Sequence, residues 1–102
     1  MPSNTNEASA SDIIERHLND AVSLIETGSR YLVLAEMNSK GMRLRWCNKA
    51  EWSLFSASLL LESAAFVAKD SKHSGWRPLI NSLTGSAYKL FLRNREQRRK
   101  VN

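Results

Sequence analysis

The sequence predicts an all-α protein, a small bundle of three helices. Three observations lead there. Residues 52–68, WSLFSASLLLESAAFVA, carry a single charge, Glu62. A stretch so apolar, and far longer than a strand, forms a helix buried on most sides. Ahead of it, Ile14, Leu18, Ala21, Ile25, Gly28, Leu32 and Ala35 recur at alternating steps of four and three, which is one helical face. Behind it, Leu79, Ile80, Leu83, Ala87, Leu90 and Phe91 recur in the same way. A chain of 102 residues has room for one domain and one modest core.

The first ten residues, MPSNTNEASA, are small and polar without apolar periodicity, so disorder is expected over 1–10. The first helix is expected from Asp12, where Asp12 and Glu15 have capping-box spacing, with Ser11 as an alternative cap. Thr27-Gly28-Ser29 offers a stop, because glycine suits the residue after a helix end. Residues 30–47 admit two readings. In one, the heptad spacing carries the helix on to 37 and a loop covers 38–47. In the other, 30–37 and 42–47 form a β-hairpin packed on the helices, since Met42, Leu44 and Trp46 alternate with Arg43 and Arg45. An isolated hairpin is marginal, so the helix is preferred, and the α+β fold is the alternative.

The second helix is expected over 48–71. Asn48 can cap it and Glu51 follows three residues later. Trp52, Phe55, Leu59 and Phe66 share one of its sides, and Leu54, Leu61, Ala65 and Ala68 another. The bulkier side is expected to be core, so Leu59→Ala or Phe66→Ala should cost about 2–5 kcal/mol. Its many Ser and Ala residues would let neighbouring helices approach closely. The third helix is expected over 77–98, with Pro78 in its first turn. Gly85 offers a kink, and Thr84-Gly85-Ser86 a turn of the helix-turn-helix kind. The apolar pattern stops at Leu92. The chain therefore divides into the segment 1–10, a helical domain over 11–92, and a basic helix extension or tail over 93–102. Removing that tail should leave folding nearly unchanged.

Charge carries the functional signal. The net charge is +5, with 15 Lys/Arg against 10 Asp/Glu, and it is unevenly placed. Residues 1–39 are acidic and residues 40–102 strongly basic. Lys89, Arg93, Arg95, Arg98, Arg99 and Lys100 crowd the C-terminus, where no apolar stripe explains them. Phosphate backbones would, because arginine forks pair with phosphate and each contact releases counterions. A second cluster, Lys40, Arg43, Arg45 and Lys49, surrounds Trp46, an aromatic that fits the core and can otherwise stack on a base. The expected function is that of a small basic intracellular protein that binds nucleic acid, DNA or RNA, or assists at it. The alternative is a helical protein–protein module, an adaptor or inhibitor with an acidic protein partner. A homo-oligomer would complete the core of so apolar a middle helix.

Other classes have little support. One cysteine, Cys47, forms no internal disulfide and fits a reducing, cytoplasmic setting. With only His17 and His73 beside it, no metal site is expected. No nucleophile–base–orienter set stands out, so the expectation is no enzyme and no cofactor. Glu62 is the one acid on the apolar stretch. Glu62 and four serines within seventeen residues argue against a membrane span, and no secretory signal pattern opens the chain.

Overall fold

A computed structural model describes residues 2–101, with side chains for 10–70 and 72–101. The fold is an all-α three-helix bundle: α1 Pro2–Met37, α2 Lys40–Val67 and α3 Arg77–Arg99. A 3-10 turn, Ser71–Trp76, joins α2 to α3, and no strand occurs among the described residues. Successive helices run antiparallel in a rod of 57 × 20 × 15 Å.

The heptad positions of α1 are its buried face: Ile14, Leu18, Ala21, Ile25, Leu32 and Ala35, with Gly28 among them. The facing positions on α2 are Cys47, Ala50, Leu54, Ala57, Leu61 and Ala64, with Ala68 buried just past its end. Small residues recur every seven positions on both helices, at Ala21, Gly28 and Ala35 and at Ala50, Ala57 and Ala64. That repeat lets the backbones approach and seats the leucines between them. Gly28 shows how tight the seam is, since a Cβ there would lie 2.9 Å from Cδ2 of buried Leu54. The glycine does not stop α1, because its missing side chain is what the packing uses.

The alternation in 42–46 does not make a strand, and the loop expected over 38–47 shrinks to Asn38 and Ser39. Arg43, Trp46, Cys47 and Ala50 recur at helical spacing and continue the inward face of α2. Met42 and Leu44, the residues that suggested a strand, are exposed. α2 therefore starts at Lys40, and Asn48 lies inside it and caps nothing. The tight connection is held by side chains that satisfy the last carbonyls of α1. Asn38 Nδ2 donates to Leu34 O at 2.6 Å, and Arg43 Nε donates to Ala35 O at 3.1 Å. The second connection is organised by Asp70, whose carboxylate accepts from the His73 backbone N–H at 3.1 Å and lies 2.8 Å from His73 Nδ1. That hydrogen bond holds the Asp70 carboxyl below its ordinary range. Arg77 Nη2 donates to Lys69 O at 2.7 Å and closes the corner.

α3 runs unbroken through Gly85, so Thr84-Gly85-Ser86 is neither kink nor helix-turn-helix turn; Thr84 Oγ1 donates back to Ile80 O at 2.8 Å. It packs into the groove of α1 and α2 through Ile80 and Ala87, with Leu83 and Leu90 beside them. Packing does not end at Leu92. Asn94 and Gln97 are buried, at 2% and 9% exposure, and Asn94 Nδ2 donates to Cys47 O at 3.1 Å. Residues 93–99 are thus a packed part of the bundle and not a tail. α1 as a helix begins at Pro2, ahead of the expected cap at Asp12, while the first buried side chain described is Ile14. The side chains of 1–9, most of the segment expected to be disordered, lie outside the described set.

Candidate functional site

Because α2 and α3 are antiparallel, the start of α2 lies along the end of α3. Arg98 reaches across to both Asn48, at 2.7 Å, and Glu51. Arg93 pairs with Glu36 on α1 at 2.6 Å. All three helices therefore contribute to one end of the bundle, and both basic clusters meet there. Segments 36–51 and 89–100 together hold ten Lys/Arg against Glu36, Glu51 and Glu96.

The ten cations do different things. Arg43 is spent on the α1 carboxyl end. Arg93 and Arg98 are tied to glutamates on neighbouring helices, and Arg99 faces Glu96 at 3.7 Å. Lys49 sits over the rings of Tyr31 and Trp46, 5.8 and 5.4 Å from their centroids. Lys40, Arg45, Lys89, Arg95 and Lys100 are exposed and have no carboxylate partner among the described residues. Those five can meet an external anion without first breaking an internal pair. They do not share one face. At 100° per residue, Lys89 and Lys100 lie far around α3 from Arg95.

Trp46, read from the sequence as a core residue or else as an aromatic for base stacking, is occupied within the protein. Its ring stacks on Tyr31 at 5.6 Å between centroids and lies half-buried between α1 and α2. Cys47 is fully buried, and desolvation pushes its thiol above its ordinary value against the opposing pull of Arg98 and Arg43. Glu62 is exposed at the surface of α2 and not in the core. Among the described residues no group of three or more His, Cys, Asp or Glu could hold a metal ion. Among them, no helix is long and apolar enough to cross a membrane.

The structure also overturns the expected core side of α2. The side of α2 that bears Trp52, Phe55, Leu59 and Phe66 faces outward, with exposures of 70, 52, 51 and 77%. The inward side is the leaner Ala–Leu face. Trp52 and Phe55 pack edge to face at 6.3 Å, and beside them a cleft of about 520 Å³ is lined by Asn48, Glu51, Trp52, Phe55 and Phe91. This apolar stripe is the feature that reading the sequence misplaced. The small-residue repeat of Ala50, Ala57 and Ala64, matched to Ala21, Gly28 and Ala35, is the signal that marks the other side as inward. No protein family, curated protein or solved structure matches this chain at a significant level.

Proposed function

We propose that this chain is a small basic protein that binds nucleic acid through electrostatic contacts between its basic end and phosphate backbones. The observation that carries the reading is the meeting of two basic clusters, distant in sequence, at one end of the bundle. Phosphate contacts position without specifying sequence, so DNA or RNA of arbitrary sequence should bind with similar affinity. An intracellular, reducing setting belongs to the same reading, since the lone thiol is kept as a free, buried cysteine.

Salt-titrated binding to mixed-sequence duplex and single strands tests it. Replacing Arg45, Arg95 and Lys100 with glutamine should weaken binding and reduce the log–log salt slope by about 0.7–0.9 per lost contact, so by roughly 2 or more. These side chains are exposed and hold no internal pair, so folding should be unaffected. Absence of affinity at low salt, or an unchanged slope in the triple variant, overturns the proposal. A helical protein–protein module is the second reading. A different observation favours it, the exposed apolar stripe on α2.

A further inference from the structure

We infer that the outward stripe of α2 is a self-complementary seam on which a second copy of this chain docks, antiparallel, about a twofold axis passing near Leu59. The stripe is spaced for it. Trp52, Leu59 and Phe66 are seven residues apart, with Phe55 between the first two, so they form a straight seam on an under-wound helix. The pattern is symmetric about Leu59. In an antiparallel pair centred there, Trp52 of each copy comes opposite Phe66 of the other and the two Leu59 side chains meet at the axis. An isologous interface requires this self-complementarity.

The cleft supplies the matching hole. Its four α2 residues, Asn48, Glu51, Trp52 and Phe55, stand at i, i+3, i+4 and i+7. Four residues so spaced form the socket that receives one knob of a facing helix. With Leu59 at the axis, the side chain that falls on this socket is Phe66, the most exposed member of the stripe at 77%. Phe91 of α3 forms the far wall of the same cleft.

Charge selects the antiparallel direction over the parallel one. One end of the molecule holds ten Lys/Arg against three Glu, and the rest of the chain five Lys/Arg against seven Asp/Glu. A parallel pair would bring the two basic ends together. The antiparallel pair leaves the basic ends at opposite tips, away from each other. Area is consistent with reversible association. At these exposures the three aromatics and Leu59 offer roughly 400–500 Å² per copy, against about 800 Å² per partner in a standard interface. The rest must come from the flanks, where Leu44 and Leu92 are exposed.

The test is oligomeric state combined with register. Sedimentation should show the mass double as protein concentration rises. Leu59→Arg should raise the dimer dissociation constant roughly a hundredfold or more, because like charges would face each other across the axis. Should that variant fail to fold by circular dichroism, Trp52→Glu asks the same question away from the axis. In a Cys47→Ala background, Leu59→Cys should oxidise rapidly to a covalent dimer, since only a residue at the axis meets itself. Val33→Cys, exposed on α1, should not. A monomer at every attainable concentration overturns the inference. So does a Leu59→Cys variant that crosslinks no faster than Val33→Cys. The inference does not rest on the nucleic-acid reading, and a dimer without affinity for nucleic acid, or a monomer with it, separates the two.

Discussion

Gly28 and Gly85 are both helical glycines, yet their neighbours give them opposite values. Glycine costs about 1 kcal/mol relative to alanine inside a helix. Nothing lies within 4 Å of the Cβ that Gly85 would carry, so Gly85→Ala should stabilise by about 0.5–1 kcal/mol. At Gly28 the new methyl would meet Leu54 at 2.9 Å, and Leu54 is itself a core residue, 1% exposed. Overpacking costs about 1–3 kcal/mol, which exceeds the propensity gain, so Gly28→Ala should destabilise. Chemical denaturation of both variants reads the pair of signs, and a stabilising Gly28→Ala would refute the close seam. Cys47 offers a second residue-scale check. Its side chain is fully buried, so native-state maleimide labelling should run roughly a hundredfold or more below that of the unfolded chain, limited by opening of the bundle. Burial raises its folded pKa. The associated stability is therefore present below the unfolded thiol pKa and is lost as pH rises through the folded one. Faster labelling in alkaline solution should then reflect unfolding as well as thiolate formation.

At the scale of elements, α2 has two apolar sides, and packing against α1 decides between them. Leu54→Ala or Leu61→Ala should cost about 2–5 kcal/mol, since both are buried among the small residues of the seam. Leu59→Ala and Phe66→Ala, once expected to be the costly pair, should change monomer stability by less than about 1 kcal/mol. Urea titrations at low protein concentration separate the two sets, and equal costs would refute the placement of α2. The end of α3 behaves as structure. Deleting 93–102 removes the buried Asn94 and Gln97 along with the Arg93–Glu36 and Arg98–Glu51 pairs. Exposed ion pairs contribute little, so the loss comes chiefly from uncovering Cys47 and the first half of α2, about 2–4 kcal/mol. A truncation that keeps the parent's melting temperature would refute this packing. Asn94 Oδ1 is buried without a hydrogen-bond partner, an unsatisfied acceptor that weakens this contact relative to an apolar one.

For the whole molecule, the arrangement of charge matters more than its sum. Ten cations gathered at one end repel one another, and three glutamates offset only part of that. Salt shortens the screening length from about 30 Å at 0.01 M to about 8 Å at 0.15 M. The melting temperature should therefore rise over that interval, and a fall would mean that the Arg93 and Arg98 pairs outweigh the repulsion. The same salt should weaken nucleic-acid binding, so stability and affinity are expected to move in opposite directions across one titration.

Helical class, helix number and the buried face of α1 were legible in the sequence, because the period of Ile14 to Ala35 is local and matches a single helix geometry. The third helix was legible for the same reason. The cations of the basic end were also legible by name, but not their sorting into paired and free, which depends on Glu36, Glu51 and Asn48 reaching across from other helices. The start of α2 was obscured because Met42, Leu44 and Trp46 also fit a two-residue period, and only contact with α1 shows Arg43, Trp46 and Cys47 to be one inward face. The orientation of α2 was decided by tertiary structure alone. Hydrophobicity favours burying Trp52, Phe55, Leu59 and Phe66, but those side chains are too large for the spacing that Gly28, Ala21 and Ala35 allow. On its α2 side the close antiparallel seam takes only alanine, serine, cysteine and leucine, so the bulkier side of α2 is left facing outward.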